Sequence, residues 1–83
     1  MHQQRNEPLD WDAMSIEDVL ALAIEDEKQA RDYYQRAAGL TGNAHTRAML
    51  LRLSEMEQGH ADQLSAELQE LQMQKELEAG MAD

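Results

Sequence analysis

Apolar residues recur at steps of three and four positions over two long stretches of this chain, and this periodicity constrains the fold more than any other feature. The first stretch covers residues 16–38 and the second covers residues 44–77, and neither contains Pro. Between them, Gly39, Gly42 and Asn43 are typical of a helix C-cap followed by a tight reversal. The pattern therefore predicts an all-α fold, a two-helix antiparallel hairpin.

The sequence outside these stretches predicts a chain of three parts. Ser15, with Asp18 three positions later, is typical of a helix N-cap with a capping box. Gly59 inside the second helix costs about 1 kcal/mol relative to Ala, which suggests either a close approach of another group or a local adjustment of the helix there. The expected parts are a flexible arm at residues 1–14, which Leu9, Trp11 and Met14 would dock, a helical hairpin at 15–79 and a C-terminal tail at 80–83.

Charge and composition exclude several classes of function. The chain has 17 acidic and 7 basic residues and a formal charge of -10, so nucleic acids and anionic membranes are not expected partners. It contains no Cys, so a metal site must be built from carboxylates and imidazoles. No stretch approaches the roughly 20 apolar residues of a membrane span. We therefore expect a soluble, cytoplasmic protein.

The chain is too short and too polar to bury a large core. Apolar residues make up 42% of its 83 positions, and at about 1.5 kcal/mol of ordering entropy per residue a chain of this size is close to zero net stability. A hairpin also leaves many apolar residues outside its single interface. We expect a second chain to cover them in a two-fold dimer that forms a four-helix bundle, extended to a higher ring. These residues are Leu22, Ile24, Met49, Leu51 and Met56.

Three ionisable residues interrupt the apolar faces of the predicted helices. Glu27 takes an apolar position on the first helix, and Glu57 and His60 take two on the second. At 1.5 Å per residue, Glu27 and Glu57 lie roughly 18 and 20 Å from the reversal, so they should meet at one level. Glu57 and His60 are three positions apart, which places a carboxylate beside an imidazole. The pattern predicts these three residues as metal ligands.

A two-metal site in a four-helix bundle takes one Glu from each of two helices and Glu-x-x-His from each of the other two. One chain supplies half of these ligands, and a homodimer supplies all of them. Carboxylates and imidazoles suit iron, with manganese or zinc as substitutes, so we expect two irons per dimer. The alternative is a metal-free acidic helical interaction module in which Glu57 and His60 form a buried hydrogen bond.

The segments AIEDEKQARDYYQRA and LSEMEQGHADQL resemble the ferritin-like and rubrerythrin-related families. The short chain and the interval between Glu27 and Glu57 are most similar to the encapsulated ferritins, two-helix half ferritins with a ferroxidase site between chains. The resemblance implies that Glu27, Glu57 and His60 bind iron and are catalytic. It also implies a ferroxidase that oxidises iron(II) with oxygen or peroxide for iron storage or detoxification, and dimers within a ring such as a decamer.

The resemblance further implies an encapsulin shell as partner and a location inside that nanocompartment. The C-terminal sequence EAGMAD departs from the tethering peptide of such proteins. An aromatic residue near the metal site is implied at Tyr34 or Tyr33, and a secondary metal site at Asp26, which should face outward or towards another subunit. The simpler interpretation is that both tyrosines pack and that Asp26 is solvated.

A rubrerythrin-like peroxide reductase is a further alternative. It would need electrons from a separate protein, since this chain has no Cys.

On the solvent face of the first helix, Asp32 is expected to pair with Lys28 and Arg36.

Overall fold

Two long helices make up nearly all of the computed structural model, which describes residues 9–81. Helix α1 spans Ile16–Leu40 and helix α2 spans Ala44–Met81, and a short 3-10 turn at Trp11–Ala13 precedes them. The described residues contain no strand, and α1 packs against α2 along its length. The predicted all-α hairpin is thus confirmed. Residues 1–8 of the expected arm and residues 82–83 of the expected tail lie outside the described residues.

Helix α1 begins at the predicted capping box. The Asp18 amide donates to Ser15 Oγ at 3.1 Å, and the Ser15 amide donates to Asp18 Oδ2 at 3.1 Å. The helix ends later than predicted, because Gly39 and Leu40 are still helical and the C-cap is Thr41. Thr41 is extended, with φ of -101°, and no described residue has a positive φ. The prediction of a glycine C-cap is therefore wrong, because the chain leaves α1 through a conformation that any residue can adopt.

Hydrogen bonds within residues 41–43 and the first turn of α2 hold the reversal. Asn43 Oδ1 accepts from the Thr46 amide at 2.9 Å and so caps the first turn of α2. Thr41 Oγ1 accepts from the Asn43 amide, and the Thr41 carbonyl accepts from Arg47 Nη2. Helix α2 then continues beyond the predicted end at 77 through Gly80 and Met81, so the predicted end of this helix is wrong.

Small side chains line the interface between α1 and α2, which we call the seam. No large apolar side chain among the described residues is fully buried, and the large apolar residues that share the helical spacing of Glu27, Glu57 and His60, such as Leu20, Leu53 and Leu64, are only half-buried. Small side chains let helix axes approach closely, and the Ser54 hydroxyl on α2 reaches the main-chain carbonyl of Arg31 on α1 at 3.0 Å. The buried residues of the seam are Glu27, Ala30, Ala38, Ser54, Glu57 and Ala61.

The hairpin is a single layer, 62 × 27 × 12 Å, so its smallest dimension is about one helix diameter. Among the residues expected to lie outside the seam, Met49, Leu51 and Met56 are exposed, whereas Leu22 and Ile24 are half-buried. None of the described helices carries an apolar stretch long enough to cross a bilayer. The described part of one chain therefore leaves several large apolar side chains in water.

An ion pair joins the helices at the end of the hairpin opposite the reversal. Lys75 Nζ on α2 contacts Glu17 Oε2 in the first turn of α1. The hydrogen bond from Lys75 lowers the pKa of the Glu17 carboxyl. This pair links the start of α1 to the last third of α2.

Gly59 lies on the outer surface of α2. It is exposed, and a Cβ added there would have no atom within 4 Å apart from its own helix backbone. The predicted close approach is therefore wrong, since α1 packs on the other side of α2.

The substitution Gly59→Ala should raise the free energy of unfolding by about 1 kcal/mol, because Ala restricts the unfolded chain and fits the open space. Urea unfolding followed by circular dichroism measures this change. Gly80→Ala, at the end of the same helix, is the matched control and should have a smaller effect. A Gly59→Ala variant less stable than the parent would show that another group occupies this space.

Candidate metal centre

Glu27, Glu57 and His60 converge at one level of the seam. One ligand atom from each residue lies within 4.8 Å of the others. His60 Nδ1 is 3.4 Å from Glu27 Oε2 and 3.4 Å from Glu57 Oε1. The structure thus brings together the three residues expected as ligands, and their metal-binding role remains a prediction.

The two carboxylates of the cluster are buried from solvent, whereas its imidazole is accessible to solvent. Glu27 and Glu57 are 9% and 7% exposed, and the Oε2 atom of each is buried. The His60 side chain is half exposed. Two buried carboxylates beside each other are unfavourable unless a positive charge compensates them. The open end at His60 is where such a cation would enter from solvent.

The neighbouring residues explain why carboxylates fit inside the seam. Ala30 lies one turn after Glu27 on α1, and Ser54 and Ala61 lie one turn before and after Glu57 on α2. All three small residues are buried. Because they bring the helices close together without filling the space beside them, the Glu side chains occupy the volume that larger apolar residues would otherwise take.

The two flanks of the seam differ at this level. Gln58 and His60 are two positions apart, or about 200° around α2, so they lie on opposite flanks. On the Gln58 flank, Arg31 Nη1 donates to Gln58 Oε1 at 2.6 Å, and Gln58 Nε2 donates to Asp62 Oδ1 at 2.8 Å. Polar contacts therefore close one flank, whereas the other flank holds the half-exposed His60.

Sequence reasoning missed the role of Arg31. Asp32 was expected to pair with Lys28 and Arg36, yet its Oδ1 accepts from Arg31 Nε at 2.8 Å. This hydrogen bond lowers the pKa of Asp32 and raises that of Arg31. Arg31 lies four positions after Glu27, and this spacing is the signal that places it one turn from the cluster.

The two tyrosines contact each other beyond the cluster. Their rings pack edge to face, with centroids 5.6 Å apart and planes at 74°. Tyr34 is half-buried and Tyr33 is 69% exposed. Tyr34 lies seven residues after Glu27, which is about 10 Å along the helix axis towards the reversal. A role for either ring at the metal site stays a prediction.

Asp26 faces the segment that precedes α1. It is half-buried and lines a shallow, mainly apolar depression. It was expected to face outward or towards another subunit, and the structure places it beside the segment at residues 9–14. The secondary metal site implied at Asp26 stays a prediction. The other residues lining the depression are Leu9, Trp11, Met14, Val19, Leu22 and Ala23.

The rubrerythrin family model matches residues 18–81, which is more than half of the chain and includes the whole cluster. The chain belongs to the rubrerythrin family. Searches of curated proteins and of solved structures returned no significant match. The predicted kinship with rubrerythrin-related ferritin-like proteins is thus confirmed, and the finer likeness to encapsulated ferritins stays a prediction.

The ligand atoms of the cluster fit the metal that this family binds. Rubrerythrin-family domains bind iron, and they belong to iron-related oxidoreductases. Carboxylate oxygens and an imidazole nitrogen are suitable ligands for iron. Family membership and the group of two buried carboxylates, Glu27 and Glu57, beside the half-exposed His60 together fit a ferritin-like di-iron protein.

The substitution Glu57→Gln should raise the melting temperature of the metal-free protein, because it removes one of two like charges from the seam. It should also weaken the stabilisation that zinc(II) provides, since a ligand at 100 times its dissociation constant adds about 2.7 kcal/mol to the folded state. Thermal unfolding with and without zinc(II) measures both effects.

The matched control is Glu55→Gln, an exposed position on the same helix. This variant should respond to zinc(II) as the parent does. An equal zinc-induced shift in Glu57→Gln and in the parent would contradict the ligand role of Glu57.

Proposed function

We propose that this rubrerythrin-family protein is a ferroxidase of the half-ferritin type, which oxidises iron(II) to iron(III) at a di-iron site formed between two chains. The observation that carries the proposal is the convergence of Glu27, Glu57 and His60 within 4.8 Å at a level where one end of the cluster is open. Iron oxidoreductase chemistry is typical of the family.

A second copy of the chain supplies the ligands that one hairpin lacks. Three ligands per chain are half of the set that two metals take in a ferritin-like bundle. Met49 and Met56 lie seven residues apart, and His60 follows one turn later, so all three share one flank of α2. Both methionines are exposed. A two-fold partner on this flank would cover them and bring its own cluster against this one.

The reaction balances with iron(II) as substrate. Two iron(II) ions lose one electron each, and one oxygen molecule takes up two electrons and two protons to give hydrogen peroxide. With peroxide as oxidant, the same electrons and two protons give two water molecules. The Glu27 and Glu57 carboxylates stabilise the trivalent product more than the divalent substrate, because the attraction between opposite charges grows with the charge of the ion.

The proposed assembly does not itself enclose the iron(III) product. Two-helix chains in a dimer, or in a ring such as a decamer, do not by themselves form a closed cage. On this proposal the ferric product is held for storage or detoxification in a separate compartment, an encapsulin shell in the cytoplasm. Encapsulin is therefore the partner to be tested by co-expression and co-purification.

A peroxide reductase of rubrerythrin type is the second candidate, and the family match favours it. Its electrons would come from another protein or domain, because this chain has no Cys to hold a rubredoxin-type iron. The two functions differ in their preferred oxidant. Faster iron oxidation by peroxide than by oxygen at equal concentration would favour the reductase.

The ferroxidase proposal predicts rapid iron oxidation that depends on the cluster. Protein loaded with iron(II) without oxygen and then mixed with air should develop ferric absorbance, with two irons oxidised per oxygen consumed. Glu27→Ala and His60→Ala should each lower the rate at least tenfold, because each removes a ligand. Stopped-flow absorbance and an oxygen electrode measure these quantities.

The control variant is Glu25→Ala, which removes an exposed carboxylate two residues from Glu27. Its rate should stay close to that of the parent. If the parent oxidises iron no faster than buffer, or if Glu27→Ala and His60→Ala leave the rate unchanged, the proposal is wrong.

A further inference from the structure

Ser54 links the two helices one turn away from both carboxylates. Only 2% of it is exposed. Its Oγ donates to the main-chain carbonyl of Arg31 at 3.0 Å. Ser54 lies three residues before Glu57, and Arg31 lies four residues after Glu27. This hydrogen bond therefore connects the two helix segments that carry the two carboxylates.

Arg31 takes part in a second link at the same level. Its Nη1 donates to Gln58 Oε1 at 2.6 Å, while its Nε donates to Asp32 Oδ1 at 2.8 Å. The Asp32 contact orients the guanidinium plane, and Gln58 is in turn oriented by its hydrogen bond to Asp62. Two interhelical hydrogen bonds thus meet at Arg31, one at its carbonyl and one at its side chain.

The most buried apolar residues of the seam contribute little to the axial register of the two helices at this level. Among the described positions they are Ala30, Ala38 and Ala61, which have no long side chains to interlock. The short reversal and the Lys75–Glu17 ion pair restrain the two ends of the hairpin, whereas the carboxylates lie between them. A slip of one residue moves a helix by about 1.5 Å. Such a slip would break the bonds at Arg31 and separate Glu27 from Glu57 and His60.

We propose that Ser54 and Arg31 are positioning residues for the metal centre, a role that rests on the proposed function. The Ser54 hydroxyl and the Arg31 guanidinium hold α1 and α2 in the axial register at which Glu27, Glu57 and His60 converge on one ion. Neither residue is a metal ligand in this proposal.

Cobalt(II) binding to the full chain tests this role, because its visible absorption band reports ligand geometry. Ser54→Ala removes the hydroxyl but leaves the Arg31 carbonyl in its helix, so the fold should persist. We expect cobalt(II) affinity to fall about tenfold, the lower end of the range for residues that orient ligands, and the band to change in position or intensity. Ser54→Thr, which restores a hydroxyl, should recover part of the affinity.

The matched control is Ser65→Ala, a half-buried serine on the same helix outside these links. It should bind cobalt(II) with the affinity and band of the parent. Arg31→Leu is the second test variant, which removes the link to Gln58 and should also weaken binding. It keeps the proposal testable if Ser54→Ala does not fold.

The outcomes separate this proposal from the ferroxidase function. Unchanged cobalt(II) affinity and band in Ser54→Ala and Arg31→Leu would overturn the positioning role alone. Weakened binding in these variants, with a parent that binds cobalt(II) but does not oxidise iron, would support the positioning role and overturn the ferroxidase. A parent that binds no cobalt(II) would overturn both.

Discussion

Burial of two carboxylates between two closely packed helices is the constraint on which the rest of this structure depends. Glu27 and Glu57 occupy seam positions that an ordinary hairpin would fill with apolar side chains. Removing a charge from water costs several kcal/mol unless another charge and hydrogen bonds compensate it. His60 Nδ1 lies at the same distance from both carboxylates, so one imidazole is shared between them. A bound cation would compensate both carboxylates together.

Because polar and small residues occupy the seam, the hairpin buries few large apolar side chains within one chain. The fully buried apolar residues of the described chain are three alanines, and large apolar side chains such as Leu40 and Met56 are exposed. The hydrophobic effect within one hairpin is therefore small, because it scales with the apolar area removed from water. On the proposed function, a second copy on the His60 flank would add apolar burial and complete the ligand set in one step.

Periodicity was sufficient to predict the hairpin and the residues at its centre. The polar interruptions at Glu27, Glu57 and His60 stand out because their neighbours repeat at helical spacing, and equal distance from the reversal places them at one level. The start of α1 was also predictable, because the bond between Ser15 and Asp18 is local.

Features that depend on the relative rotation of the helices were not predictable. The Arg31–Gln58 hydrogen bond requires knowledge of which flank of each helix faces the other. Gly59 was misinterpreted for a different reason, since its position about 200° around α2 from Glu57 already places it away from the seam. At Gly39, residue type suggested a helix end that the backbone does not adopt.

Anomalous diffraction at the iron absorption edge tests the central claim most directly. The crystals would be grown without oxygen in the presence of iron(II). The account predicts two iron peaks related by a two-fold axis, with Glu27, Glu57 and His60 of two chains as ligands. Iron bound elsewhere, or no iron at a cluster whose three side chains remain together, would contradict it.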